Sequence, residues 1–327
     1  MFSIRVGLGN TTFRVSRLAA MGAFALVAAC ASDVVDAPET PLASDALGSD
    51  FRAFGLERGT RETLVDGITS VENILFTSDG RLFASGDDGL FELQRDATSH
   101  AFTKTNLHPG GTCKFGGMVE LGDALYANCY DGTDSYVYAG VLTAHPTFAS
   151  IFTLKGVALA NGLAADQKGG LYITVTIQGR ILRVQLAEDD PFKVTGQETW
   201  LSNTGPGGTL PNGIKIVGDW MYYDDLFGTL SRLSVSRKPR NPQVLIHEFA
   251  WFDDLFVDGR GILVADYFFG AVRAYDLNGR VLSATALGTL TNPSAVLPAD
   301  SRLGLAASDL IVTEKGANRV SIFHARP

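Results

Sequence analysis

From residue 70 onward the chain restates one pattern six times, and that repetition limits the folds open to it. An apolar strand runs into a Gly/Asp turn, a second strand rich in Val, Ile, Leu, Phe and Tyr follows, and another turn leads to a third strand. The copies are ILFTSDGRLFASGDDGLFEL (74–93), MVELGDALYANCYDGTDSYVYAGVL (118–142), LAADQKGGLYITVTIQGRILRVQL (163–186), IKIVGDWMYYDDLFGTLSRLSV (214–235), LFVDGRGILVADYFFGAVRAYDL (255–277) and AVLPADSRLGLAASDLIVTEKGANRVSIFH (295–324). The equivalent points Glu72, Gly117, Asn161, Asn212, Asp253 and Pro293 are spaced by 45, 44, 51, 41 and 40 residues. Short strands repeated at that period are propeller blades. The expected fold is all-β, a six-bladed β-propeller of four-stranded blades over residues 51–327. A weaker fourth strand follows each of the first five copies, at 102–107, 148–154, 197–201, 243–249 and 282–288. The sixth copy has only three strands, so residues 51–66 are expected to supply its outer strand and close the ring. The alternative, two smaller β domains, would need a linker, and none interrupts the period.

The N-terminus reads as an address. Arg5, Arg14 and Arg17 precede an apolar stretch, Leu18–Ala29, too short to span a bilayer as a helix. It ends in Leu26-Val27-Ala28-Ala29-Cys30, which resembles a bacterial lipobox, so residues 1–29 are expected to be a signal peptide and Cys30 a lipidated first residue. A plain signal peptide with an incidental cysteine is the alternative. Residues 30–50 are small, acidic and Pro-containing, and read as a flexible tether. The expected location is the bacterial cell envelope, facing the periplasm or the exterior, with membrane contact through the lipid only. Setting Cys30 aside leaves Cys113 and Cys129, an even number that suggests one disulfide in an oxidising compartment; two buried free thiols are the alternative.

The formal charge is −8, and removal of residues 1–29 takes away three arginines and no acids, giving −11. An acidic chain argues against nucleic-acid partners. A small-molecule substrate and a monomer are expected.

Chemistry concentrates where each innermost strand begins, because those residues face the central tunnel. The six copies there read Val71-Glu72-Asn73-Ile74, Gly116-Gly117-Met118, Ala160-Asn161-Gly162-Leu163, Pro211-Asn212-Gly213-Ile214, Phe252-Asp253-Asp254-Leu255 and Asn292-Pro293-Ser294-Ala295. Glu72, Asn161, Asn212 and Asp253 thus bring four side-chain oxygens from four blades toward one axis. A hard cation accounts for such a set, since calcium takes six to eight oxygen ligands. Calcium is the expected ion, with Zn2+, Mn2+ or Mg2+ as alternatives. Taken singly, each of these residues is an ordinary turn residue; four in register with the blade period are not.

These motifs resemble the calcium-dependent six-bladed hydrolases of the SMP-30/gluconolactonase/paraoxonase group. The resemblance spans roughly residues 60–327. It implies that Glu72, Asn161, Asn212 and Asp253 bind the catalytic metal and that Asp253 is general base or nucleophile. By the same resemblance Asp254 is a secondary candidate ligand. Asn73 and Asn292, which stand where the inner strands of copies one and six begin, are further metal or substrate candidates. The implied activity is metal-dependent hydrolysis of lactones or related esters. Gly116-Gly117 departs from the pattern, since relatives carry a substrate-touching His or Asn-Asp there, and Glu72 lacks the usual Gly-Pro after it. A non-catalytic envelope propeller, binding a ligand or partner with a structural metal, is therefore the alternative. Fold alone does not decide between them.

The remaining candidates are weaker. His100, His108, His145, His247 and His324 are scattered, and His108 reads as a loop residue before Pro109-Gly110-Gly111. Asp87-Asp88 and Asp224-Asp225 read as turn or solvent residues, and Trp200, Trp220 and Trp251 as packing. No nucleophile elbow, P-loop or dinucleotide fingerprint occurs in a credible context.

Overall fold

The computed structural model describes residues 5–8, 11–14, 51–202, 209–238 and 240–326. Arg5–Leu8 and Thr11–Arg14 form a short antiparallel pair, a unit to itself. The rest of the expected signal segment, the lipidation site Cys30 and the tether lie outside the described residues. Among the described residues no helix is long and apolar enough to cross a membrane.

The repeat folds as six four-stranded antiparallel sheets. Blade 1 comprises Asn73–Phe76, Leu82–Gly86, Gly89–Arg95 and Phe102–Pro109. Blade 2 comprises Lys114–Leu121, Ala124–Tyr130, Ser135–Val141 and Ala149–Leu154. Blade 3 comprises Ala160–Ala165, Gly170–Val175, Arg180–Leu186 and Val194–Ser202. Blade 4 comprises Pro211–Val217, Trp220–Asp225, Thr229–Ser234 and Gln243–His247. Blade 5 comprises Phe252–Asp258, Gly261–Asp266, Ala271–Tyr275 and Val281–Ala284. Blade 6 comprises Pro293–Pro298, Leu310–Glu314 and Arg319–His324, and Thr60–Asp66 completes it, running from Arg319↔Asp66 to His324↔Thr60.

The closing segment is shorter than the sequence suggests. Residues 60–66 are the strand, whereas Phe51–Phe54 and Leu56–Arg58 are single 3-10 turns. Their apolar residues are the reason: Phe51, Phe54 and Leu56 are buried in the core between blades 5 and 6. Ser283 Oγ accepts from Leu56 N at 3.1 Å, and the Arg260 guanidinium lies 4.9 Å from the Phe51 ring centre.

Burial follows strand position. The second strands Gly170–Val175, Gly261–Asp266 and Leu310–Glu314 are buried throughout, as strands covered on both faces must be, while the outer strand Phe102–Pro109 is largely exposed. Each seam between neighbouring blades holds one apolar cluster. Cys113 and Cys129 are disulfide-bonded with Cα atoms 5.6 Å apart, tying the start of blade 2's inner strand to the end of its neighbour.

Candidate functional site at the propeller axis

A repeated irregularity delivers the polar residues to the axis. In blade 3, Ala160 pairs with Val175 and Leu163 with Ile173, so Asn161 and Gly162 together oppose the single residue Thr174. The same two-against-one bulge sets Gly116-Gly117 opposite Asn128, Asn212-Gly213 opposite Asp224 and Asp253-Asp254 opposite Ala265. A bulge frees two side chains from the pleat and re-aims them. The glycine following each asparagine has a steric cause. A Cβ on Gly162 would lie 2.4 Å from Asn212 O, and one on Gly213 would lie 2.6 Å from Asp254 Cα, because the next blade's backbone passes there. A Cβ on Gly116 would lie 2.8 Å from Asn128 Oδ1, and one on Gly117 would lie 2.4 Å from Leu163 N. Blade 2 therefore offers the axis no side chain at this level.

Three of the four expected residues form one hydrogen-bonded chain. Asn161 Nδ2 donates to Asn212 Oδ1, and Asn212 Nδ2 donates to Asp253 Oδ1 at 2.6 Å. Glu72 joins through charge: its carboxylate raises the cost of ionising Asp253. Burial first, then Glu72, push the Asp253 carboxyl well above the usual range, while Lys315 and the Asn212 amide pull it down.

Lys315 is the member that sequence reasoning missed. Its ammonium pairs with Glu72 Oε2. Burial alone would lower its pKa, but Glu72, Asp253 and Tyr130 together outweigh burial and hold it above the ordinary lysine value. Tyr130 and Tyr267 complete the surroundings, and burial raises both phenols. Lys315 sits in the 3-10 turn Lys315–Ala317, directly after the second strand of blade 6. No other blade carries a lysine at that point, so the period gives no signal for it.

The secondary candidates fall elsewhere. Asn73 and Asp254 meet, with Asn73 Nδ2 donating to Asp254 Oδ2 at 2.7 Å. Lys215 Nζ reaches the same carboxylate at 2.9 Å, forming a second polar cluster beside the ring. Asn292 supports the Lys315 turn: its backbone oxygen accepts from Lys315 N at 3.1 Å, and its amide donates to Tyr267 O at 3.2 Å.

Two expectations need correcting. His108 is in the outer strand of blade 1, not in a loop, and packs against Phe115 and Tyr138 at ring distances of 5.7 and 5.0 Å. Asp224 and Asp225 are buried, not solvent residues, because the second strand of blade 4 runs through them. His247 is structural, its Nδ1 lying 3.1 Å from Thr229 Oγ1.

Around the ring the mouth is uneven. At the turn after the second strand, blades 3, 4 and 5 expose Ile177, Phe227 and Phe268, whereas blades 1 and 2 carry Asp87, Asp88, Asp131 and Asp134 nearby. A cavity of about 180 Å³ opens next to Tyr267, lined also by Phe268, Phe269, Leu290, Thr291 and Asn292.

No family profile matches the sequence, and no curated protein matches it either. Among solved structures, one assigned to the gluconolactonases is similar at a TM-score of 0.60 and 15% identity, covering 83% of this chain and 94% of that one. Virginiamycin B lyase from Staphylococcus aureus gives 0.55 at 10% identity, over 82% of this chain and 99% of the lyase. The PQQ-bound aldose sugar dehydrogenase from Streptomyces coelicolor gives 0.54 at 13% identity, over 82% and 99%. The protein is a six-bladed β-propeller of the architecture shared by these gluconolactonase-like, lyase and dehydrogenase propellers.

Proposed function

We propose that the axial ring is the active site of a hydrolase of lactones or related esters, working with calcium held by Glu72, Asn161, Asn212 and Asp253. One observation carries this reading: three consecutive blades share a single hydrogen-bond chain, Asn161–Asn212–Asp253, whose terminal carboxyl lies within electrostatic reach of Glu72 from a fourth blade. The donors are oxygens only, and among the described residues no group of three or more His, Cys, Asp or Glu gathers as a metal site. A cation here depends on the two amides, which suits a hard ion better than zinc. When bound, such an ion polarises the substrate carbonyl as a Lewis acid.

The protein's own groups divide the remaining work. Asp253 takes a proton from the attacking water as general base, or attacks directly as nucleophile. Lys315 and then Asn212 Nδ2 favour its ionised form, while burial and Glu72 oppose it. Asn161 fixes the orientation of the Asn212 amide. The apolar rim on blades 3 to 5 offers the organic part of the ester a place to lie. We propose that the enzyme works in the bacterial cell envelope, held by lipid at Cys30; the lipobox-like Leu26-Val27-Ala28-Ala29-Cys30 supports this.

The test strips metal with a chelator and restores calcium while following thermal unfolding and turnover of a panel of lactones and aryl esters. Calcium is expected to restore both. Asp253→Asn is expected to lower kcat about a hundredfold or more with the fold retained; a loss of thermal stability without any catalytic defect sinks the hydrolase reading. A second reading, a ligand-binding propeller with the cation as structural pin, is favoured by the packed Gly116-Gly117, where blade 2 presents no side chain at the position the other bulges use.

A further inference from the structure

Lys315 is anchored at its root and adaptable at its tip. Its backbone N donates to Asn292 O at 3.1 Å, and its carbonyl accepts from Asn318 N at 3.3 Å. The preceding Glu314 is fully buried and held by Arg319 Nε at 2.9 Å and by Arg61 of the closing strand at 3.3 Å. From this fixed turn a four-carbon stem carries the ammonium to Glu72. The side chain keeps 29% of its surface exposed, so solvent reaches part of its length.

Charge decides what can sit beside it. Glu72 and Asp253 bring two carboxyl groups to the ring, and Lys315 sets its ammonium on Glu72 between blades 6 and 1. Without any cation the two carboxylates repel one another. A divalent ion added beside a retained ammonium would set positive charges against one another at close range. A metal held by Glu72 would compete with Lys315 for that carboxylate.

We propose that Lys315 is a tethered cation that alternates with the metal ion in the ring, so that the ammonium and the metal exclude one another. The inference rests on reading Glu72, Asn161, Asn212 and Asp253 as a cation site. The lysine holds the metal-free ring together, and it sets metal affinity by making each binding event an exchange.

The test is a calorimetric titration of calcium into chelator-stripped protein, for the wild type and for Lys315→Met, Lys315→Gln and Lys315→Arg. The two neutral variants are expected to bind calcium at least tenfold more tightly and to melt at a lower temperature when metal-free. Arginine keeps the charge and is expected to stay near the wild type in affinity. Equal affinity across all four proteins overturns the exchange and leaves the calcium reading intact. Calcium binding by none of them overturns both. If the methionine variant does not fold, the glutamine and arginine variants carry the comparison.

Discussion

Opposite the bulges of blades 2, 3 and 4 sits one polar side chain of the second strand, and in blades 2 and 3 it stitches the blade to the next one. Asn128 Nδ2 donates to Asn161 O at 2.9 Å, and Thr174 Oγ1 donates to Asn212 O, each reaching into the next blade. Asp224 occupies the same register in blade 4. Its Oδ1 accepts from Gly213 N at 2.7 Å, while Oδ2 has no hydrogen-bond partner among the described residues. Burial, and then the charge of Asp254, push this carboxyl well above the usual range. A carboxyl that keeps its proton can donate, as the amide and the hydroxyl do in blades 2 and 3. The sign follows from linkage: a raised folded pKa stabilises at low pH, and that contribution is lost as pH climbs from the unfolded value of 3.8 through the folded one. Asp224→Asn removes this part of the slope. Denaturant unfolding at pH 5 and pH 8 is expected to show the variant about 1–2 kcal/mol more stable than the wild type at pH 8, and much closer to it at pH 5. Hydropathy cannot reveal this residue, since an Asp pair after Tyr222-Tyr223 looks like a turn. Its burial comes from blade 5, some thirty residues further along.

The bulge is the element that turns a repeat into a site. Its first residue faces the axis and its second must clear the next blade, which is why Asn-Gly recurs in blades 3 and 4. Gly162→Ala sets a methyl against the Asn212 carbonyl and is expected to cost about 3 kcal/mol in denaturant unfolding. A methyl at Gly196, in the outer strand of the same blade, would meet nothing within 4 Å, so Gly196→Ala is expected to be neutral or slightly stabilising. An equal loss in both variants would remove the steric account of the motif. The strands, the turns and the four axial residues are legible in the sequence because they share the blade period. Lys315 is not, because it belongs to one blade only and stands in TEKGANRV, a stretch with every mark of a solvent turn. His108 misleads for a related reason: Pro109-Gly110-Gly111 announces a turn, but the strand continues to Pro109 before it.

At the scale of the whole molecule, the ring depends on a segment far from its partner in sequence. Thr60–Asp66 pairs with Arg319–His324, and the two turns before it send Phe51, Phe54 and Leu56 into the seam between blades 5 and 6. Phe54→Ala empties a buried site there and is expected to cost about 3–4 kcal/mol, seen as a fall in thermal midpoint. A change within about 0.5 kcal/mol would mean that the turns merely lie on the surface of the seam. The blade count shows that a strand is missing and roughly where it comes from. It does not separate the strand from the turns, because Phe51, Phe54 and Leu56 have no periodic neighbours to read them against.

The closing seam also fixes how the molecule would respond to tension. A pull applied through the N-terminal segment meets Phe51 and Phe54 first, wedged between two blades, and only then the strand at Thr60. That strand would peel from the Thr60–His324 end, one rung at a time, which is the weak direction for a sheet. The aromatic turn therefore serves as a strain relief, carrying the load across two blades before it reaches the zipper that keeps the ring shut.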